Sequence, residues 1–157
     1  MKILIGSDHA GFELKQKLIP FLTELGYEAE DKGDYNLDEN DDYPDFVAPV
    51  AKEVANNHGL KGIIIGGSGQ GEAIVANRFP HIRAVVFNGQ YKPPDGRKVP
   101  DEIILSRQHN DANILSLGAR FLSEEEAKEA VKVWLETEFS NDERHIRRLR
   151  KIDEIKI

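Results

Sequence analysis

The sequence predicts a three-layer α/β domain built around a five-stranded parallel sheet. Along the 157 residues, short apolar runs alternate with longer segments whose apolar residues recur at helical spacing, as expected when helices cover both faces of a sheet. Residues 62–66 are the clearest strand, because three consecutive isoleucines lie between two glycines without polar alternation. The chain shows no repeat, linker or second domain, so one domain over residues 1–157 is expected.

The N-terminus predicts the first strand and the first helix. Residues 3–5 are an apolar run that ends at Gly6, which indicates a buried strand. Residues 11–25 indicate a helix that Gly26 terminates. Pro20 lies inside this pattern and is expected to kink the helix or loosen one turn. The buried face of the helix is expected to carry Leu14, Leu18, Leu22 and Leu25.

The next part of the chain is less regular. Residues 27–31 give a weak strand signal, and the acidic segment 38–42 predicts a loop. A helix is expected to begin near Pro44, since proline is favoured in the first helical turn, and apolar residues at helical spacing continue it through residues 47–55. Pro49 is an unusual residue so far inside a helix.

The second half of the chain supplies the remaining elements. Ser123 and Glu126 form a capping-box pattern, which predicts the start of a helix that passes Trp134 and ends near residue 139. The other elements expected before it are a short helix that ends near residue 78, a strand at 84–87, a helix at 103–109 and a strand at 114–117.

The composition excludes several classes of protein. The net charge is −7 at pH 7, whereas nucleic-acid-binding domains normally carry a basic excess, so no nucleic-acid partner is expected. The absence of cysteine excludes disulfides and thiolate chemistry, and no histidine pair has the spacing of a helical metal site, so no metal is expected. No apolar run approaches the ~18 residues of a membrane span and no signal peptide is apparent, so a cytoplasmic protein without membrane partners is expected.

Polar residues follow the predicted strands at positions where open parallel sheets bind ligands, just beyond the strands' carboxyl ends. Asp8 and His9 follow the first strand, Arg120 follows the last, and the run 109–111 lies just before the last strand. The backbone amides of the turn after the third strand can converge on a phosphate or an oxyanion, although the same residues would also suit a simple tight turn. That turn consists of Gly67, Ser68, Gly69, Gln70 and Gly71.

Glu72 directly follows this turn and is expected in the first turn of the next helix. A carboxylate there stabilises the helix by ~0.3–1 kcal/mol through the helix dipole, which is a sufficient structural reason for it. Beside an anion-binding turn, however, a carboxylate is also the base that proton abstraction next to a carbonyl requires. The residues alone leave both roles open.

The C-terminal segment is locally basic in an acidic protein. A last helix is expected over about 142–155, capped by Asn141 or Asp142. Arg144 and Arg148 are four residues apart and share one helical face, where they could either be solvated or bind a doubly charged phosphate. The helix also carries an apolar stripe that could dock it, formed by Ile146, Leu149 and Ile152.

Seven short motifs, dispersed over nearly the whole chain, occur in a characteristic order. They are 6–12 (GSDHAGF), 42–45 (DYPD), 66–72 (GGSGQGE), 76–77 (AN), 109–113 (HNDAN), 117–120 (LGAR) and 144–145 (RH). Together they resemble the ribose-5-phosphate isomerase B family, which also includes galactose-6-phosphate and allose-6-phosphate isomerases.

The resemblance implies a Rossmann-like fold with strand order 2-1-3-5-4, a reaction without a cofactor, and a homodimer or homotetramer whose active sites are each built from two chains. His109 would assist opening of the furanose ring, and Asn110 would hold substrate oxygens. The sugar pocket would include Asp8, His9, Gly67, Gly69, Gln70 and Gly71. The phosphate would bind to Arg120, Arg144 and Arg148.

The resemblance also implies the identity of the base. A large branch of the family carries a cysteine base at the position that matches Gly66, whereas this chain is similar to the branch whose base is the glutamate that matches Glu72. Ser68 would lie where its hydroxyl can shuttle a proton between the two reacting oxygens or form a hydrogen bond near them. The implied reaction interconverts ribose 5-phosphate and ribulose 5-phosphate through an enediolate.

Segment 90–101 is longer than the family resemblance leads us to expect. It is either a solvated loop or a determinant of substrate choice, since loops at this end of a sheet select substrates. An isomerase of another sugar phosphate (allose or galactose 6-phosphate, or a tetrose phosphate) is therefore an alternative function. An alternative of another class is a non-catalytic sugar-phosphate sensor whose long loop recruits a partner.

Overall fold

A computed structural model of the chain describes residues 1–155. The strands are β1 (Lys2–Ser7), β2 (Glu28–Asp31), β3 (Lys61–Gly66), β4 (Ala84–Phe87) and β5 (Ile114–Gly118). The helices are α1 (Phe12–Glu24), α2 (Pro44–Asn56), α3 (Gln70–Ala76), α4 (Glu102–Gln108), α5 (Glu124–Glu136) and α6 (Glu143–Asp153), and a 3-10 turn over His9–Gly11 precedes α1. All strands pair in parallel in the order β2-β1-β3-β5-β4, which confirms the predicted fold class and strand order.

Helices cover both faces of the sheet, because successive strand residues point to opposite sides. Ile3 and Ile5 pack in one apolar cluster with residues of α1 and α5, including the fully buried Trp134. Leu4 packs in the other cluster, with Val47 and further residues of α2. The isoleucines of β3 are shared between the two clusters and are fully buried, as the absence of polar alternation predicts.

Some helix ends differ from the sequence prediction. Helix α5 begins with the predicted capping box of Ser123 and Glu126 but ends at Glu136 instead of near residue 139, because Thr137 adopts an extended conformation. Pro20 and Pro49 lie inside α1 and α2, and neither ends its helix. Both prolines are exposed, so their rings extend into solvent instead of into the core.

Helix α6 docks differently from the prediction. Of the predicted apolar stripe, Ile146 and Ile152 are 40% and 51% exposed, and Leu149 is only half-buried. The buried residue of this helix is His145, a polar side chain for which the amphipathic pattern gives no signal.

The register of the sheet determines which loops lie together. Gly66 pairs with Gly118, so the turns that follow β3 and β5 leave the sheet side by side at its carboxyl edge. His109 instead lies between α4 and the start of β5. Asp111, two residues later, lines a surface cavity together with Met1, which precedes β1. In one chain, the run 109–111 therefore lies at the opposite, amino-terminal edge of the sheet.

The long segment after β4 forms a closed loop beside α5. The Gln90 amide donates to the carbonyl of Pro100 at 3.1 Å and accepts from the N–H of Glu102 at 3.0 Å, which joins the two ends of the loop. A cavity of about 630 Å³ separates its base from Glu125 and Glu129 of α5. Over residues 1–155, no helix combines the length and the apolarity that a bilayer crossing demands.

Candidate active site

A cavity of about 340 Å³ opens at the carboxyl ends of β1, β3 and β5. It collects residues from the loops that follow these three strands, together with a tyrosine that precedes α2. The lining residues are Asp8, Tyr43, Gly67, Ser68, Gly71, Glu72, Arg120 and Phe121. The fold thus brings several site residues predicted from the sequence together around Glu72, namely Asp8, Gly67, Ser68, Gly71 and Arg120.

Two glycines shape the turn between β3 and α3. Gly69 has a φ of 72°, a left-handed conformation that favours glycine, and its carbonyl accepts a hydrogen bond of 2.7 Å from the buried Ser116 hydroxyl of β5. A Cβ on Gly67 would lie 3.2 Å from the guanidinium carbon of Arg120. The turn is therefore anchored to β5 at Gly69, and its backbone at Gly67 leaves room for the arginine.

Glu72 lies in the first turn of α3, but its side chain is directed inward and only 4% of its surface is exposed. A Cβ on Gly66 would lie 1.7 Å from Glu72 Oε1 and 2.2 Å from the carboxyl carbon. The carboxylate thus occupies space that exists only because residue 66 has no side chain. An interaction with the helix dipole alone would not require this burial, so the position favours the second predicted role of Glu72, that of a base.

Burial raises the pKa of Glu72, and the negative charge of Asp8 raises it further, whereas the backbone N–H of Glu72 opposes the effect. Burial also raises the pKa of Asp8, while the N–H of Gly11 and the charge of His9 lower it. A carboxylate whose pKa lies above its ordinary value is a stronger base, and it retains an accepted proton better at neutral pH. The cavity therefore combines a buried carboxylate with a second carboxylate that tunes it.

His9 is held beside the cavity by Asp41. Its ring Nδ1 lies 2.5 Å from Asp41 Oδ1, and its backbone N–H donates to Asp41 Oδ2 at 2.9 Å. The hydrogen bond with Asp41 raises the pKa of His9. Asp8, His9 and Asp41 carry potential metal-ligand atoms within 4.8 Å of one another. His9 and Asp41 already bind each other, so this cluster by itself does not indicate a metal site.

Tyr43 and Phe121 line the cavity but are absent from the site residues predicted from the sequence. Tyr43 packs over the start of α3, where a Cβ on Gly71 would lie 2.8 Å from the tyrosine ring. Phe121 directly follows Arg120 in the loop after β5 and is 61% exposed. Their position next to predicted site residues is the signal that could have identified them, since Tyr43 precedes the helix-starting proline and Phe121 follows a phosphate-binding candidate.

The remaining predicted site residues lie away from this cavity in the same chain. His109 ends α4, and its ring lies against that of His145 with 4.2 Å between the ring centroids. Asn110 lines a separate cavity beside β4, and Arg144 and Arg148 are exposed on α6. These side chains and Glu72 could contact one substrate only if two copies of the chain contributed to each site.

Comparisons with known proteins agree with the motifs. The family model described as Ribose/Galactose Isomerase matches residues 3–152. The chain is 40% identical to ribose-5-phosphate isomerase B of Escherichia coli over 154 residues, which cover 98% of this chain and 95% of the relative. It is 37% identical to the Mycobacterium tuberculosis protein of the same name over 150 residues, which cover 95% of this chain and 86% of the relative.

Solved structures give the same result. Ribose-5-phosphate isomerase B of Clostridium thermocellum superposes with a TM-score of 0.86 at 42% identity, covering 98% of this chain and 96% of that one. The Mycoplasma genitalium enzyme, solved with bound ribulose 5-phosphate, superposes with a TM-score of 0.85 at 34% identity, covering 97% and 93% of the two chains. The chain belongs to the ribose/galactose isomerase family, which confirms the predicted enzyme class, a sugar-phosphate aldose–ketose isomerase.

Proposed function

We propose that the protein interconverts ribose 5-phosphate and ribulose 5-phosphate through an enediolate, with Glu72 as the base. The observation that carries this proposal is the buried carboxylate of Glu72 in the cavity beside the glycine turn. The relatives named ribose-5-phosphate isomerase B support the choice of substrate, and so does the neighbour that binds ribulose 5-phosphate. The reaction requires no cofactor.

The first step opens the furanose ring of ribose 5-phosphate. The C1 hydroxyl loses its proton, O4 gains one, and the C1–O4 bond breaks, so an aldehyde and a free 4-hydroxyl form without any net change in protons. In this proposal His109 donates the proton to O4, water takes up the proton of the C1 hydroxyl and reprotonates His109, and Asn110 holds the substrate oxygens. A positioned histidine suits this transfer because its ordinary pKa lies near neutral pH.

The second step moves a proton between two carbons. Glu72 takes the proton from C2, and the electron pair passes into the carbonyl, which places negative charge on O1. The amides of the turn from Gly67 to Gly71 stabilise this charge, and the Ser68 hydroxyl, which lines the cavity, transfers a proton from O2 to O1. Glu72 then returns its proton to C1, which gives the ketose and restores the carboxylate.

A second copy of the chain completes the site in this proposal, with Arg120 on one side of the phosphate and Arg144 and Arg148 of the other copy on the opposite side. Two apolar side chains near the cavity support a protein contact there. Phe121 lines the cavity and is 61% exposed, and Ile74, which is 67% exposed, lies on α3, the helix that begins at the cavity, so a second copy could bury both side chains.

A substrate panel tests the proposal. We expect kcat/KM to be highest for ribose 5-phosphate among ribose 5-phosphate, allose 6-phosphate, galactose 6-phosphate and erythrose 4-phosphate. A preference for a six- or four-carbon sugar would retain the enzyme class and reject the substrate. Binding without turnover of any of them would support a sugar-phosphate sensor instead. Among the described residues, none of the long loop 90–101 lines the 340 Å³ cavity of its own chain, so the loop could act on substrate choice only from the second copy.

Replacement of His109 by asparagine should affect only substrates that must open a ring. Ribulose 5-phosphate cannot form a furanose because its C5 oxygen is esterified, so solvent exchange of its C1 proton bypasses ring opening. We expect kcat/KM for ribose 5-phosphate to fall by about 10²-fold, which is typical of a lost general acid, while C1 exchange measured by NMR stays within about threefold of the wild type. Equal losses in the two reactions would contradict the assigned role.

The pH dependence should report the raised pKa of Glu72. Since only the carboxylate accepts a proton, kcat/KM should fall as pH decreases through that pKa, at a higher pH than the ~4.3 of an ordinary glutamate. Asp8→Asn removes a charge that raises this pKa, so the acid limb should move to lower pH in the variant. A limb that stays in place or moves to higher pH would show that Asp8 does not tune the base.

A further inference from the structure

His145 is a buried polar residue to which the proposed reaction assigns no step. It is 1% exposed and lies in the first turn of α6, where its Nδ1 is 2.8 Å from the Ser140 hydroxyl. Its Nε2 is buried and has no hydrogen-bond partner among the described residues. A buried ring nitrogen without a partner is costly, so a residue kept in this state calls for a reason other than stability.

The ring of His145 lies against the ring of His109. The centroids are 4.2 Å apart and the ring planes are inclined by 36°, which is a close, tilted stacking contact. His109 follows the last residue of α4 and is only half-buried, so its imidazole is partly open to solvent. The His145 ring, which is buried and bonded to Ser140, covers one side of it.

The surroundings favour the uncharged form of His145. Burial lowers its pKa, and the nearby charges of His109, Arg144 and Arg148 lower it further, whereas Asp142 opposes them. A neutral ring can remain stacked beside His109 when that residue carries a proton, since no repulsion between two charged imidazoles arises. His145 is therefore suited to support a proton donor without competing for its proton.

We infer that His145 is a positioning residue that orients the His109 imidazole toward the ring oxygen of the substrate. The inference rests on the proposed function, because ring opening is the step assigned to His109. Helix α6 also carries Arg144 and Arg148, which are proposed to bind the phosphate. Helix α6 thus carries both the arginines that would bind the phosphate and the histidine that contacts His109. A phosphate bound to α6 would therefore place O4 of the sugar next to His109.

The test compares a substrate that needs ring opening with one that does not. In His145→Ala we expect kcat/KM for ribose 5-phosphate to fall by about tenfold or more, since small displacements of a reacting group cost this much. Solvent exchange of the C1 proton of ribulose 5-phosphate should stay within about threefold. Both molecules carry the same phosphate, so weaker phosphate binding would lower the two rates together.

His58→Ala serves as the matched control, because it alters another pair of histidine rings, that of His58 with His81, and it should change neither rate.

The outcomes separate this inference from the proposed function. A wild-type protein that does not isomerise ribose 5-phosphate would reject the function itself. If the wild type isomerises but His145→Ala lowers both rates in parallel, or neither, the positioning role is overturned. Should the alanine variant not fold, Ser140→Ala decides, because Ser140 is exposed and its loss frees the His145 ring without emptying its site. That variant should lose only the furanose reaction, and an unchanged ratio of the two rates would overturn the inference.

Discussion

Replacement of Glu72 by glutamine is expected to lower the isomerisation of ribose 5-phosphate by about 10²–10⁴-fold, while the sugar phosphate still binds. The amide has nearly the shape of the carboxylate but cannot accept a proton from carbon. Because the Glu72 side chain is almost fully buried against Gly66, a side chain of the same shape should leave the cavity intact. The measurements are kcat for turnover and calorimetric titration with ribulose 5-phosphate for binding.

The free energy of unfolding provides an independent control for this variant. Burial raises the pKa of Glu72, so the ionised form is disfavoured in the folded protein. Such a group contributes stability below its unfolded pKa, and this contribution is lost as the pH rises through the folded pKa. Glu72→Gln should therefore be at least as stable as the wild type at neutral pH, with the difference vanishing toward acidic pH. If the inactive variant has a lower free energy of unfolding than the wild type at neutral pH, the loss of activity would be ascribed to a damaged fold and not to the missing base.

Gly66→Ala is expected to lower kcat by about 10²-fold, the cost typical of displacing a catalytic group by about 1 Å. The added methyl group would lie 1.7 Å from Glu72 Oε1, far inside the contact distance, so the carboxylate has to move. With Glu72 in this position, the same overlap leaves no room for any side chain at position 66. Steady-state kinetics of the variant, with binding measured separately, tests the expectation.

Two comparisons make the Gly66 result specific. Gly59→Ala is the matched control, because a Cβ there meets only Asn57 Oδ1 at an ordinary 3.7 Å, and activity should not change. In a Glu72→Gln background, Gly66→Ala should cause little further loss, since its effect acts through the carboxylate and the two changes are then non-additive. Additive losses would mean that Gly66 matters for a reason unrelated to Glu72.

Local patterns predicted much of the fold. The isoleucines of β3 and the capping box at Ser123 are short-range signals, and both occur where expected. The end of α5 was less predictable, because the extended conformation of Thr137 breaks a helix whose residues would allow it to continue. Lys15 is not predictable from spacing, because it is fully buried and its 2.7 Å ion pair with Asp31 joins α1 to β2, a contact between elements that no local pattern encodes.

The candidate site was predictable to the extent that its residues follow strand ends. Asp8, Glu72 and Arg120 lie around one cavity because parallel strands deliver their following loops to the same edge. His109 precedes β5, and a residue that precedes a parallel strand lies at the amino-terminal edge of the sheet. The contact between His109 and His145 joins two helices that are distant in sequence, and no local pattern encodes such a meeting.

Isomerisation in D₂O tests the central claim, proton transfer by Glu72, most directly. Starting from ribose 5-phosphate, the account predicts that the wild type introduces carbon-bound deuterium at C1 of the ketose and at C2 of the recovered aldose, and that Glu72→Gln introduces none at a comparable rate. A Glu72 carboxyl that returns its proton before exchanging with solvent would keep part of the original hydrogen on the sugar, so the decisive comparison is with the variant. Deuterium uptake or turnover by Glu72→Gln at the wild-type rate would contradict the assignment of Glu72 as the base.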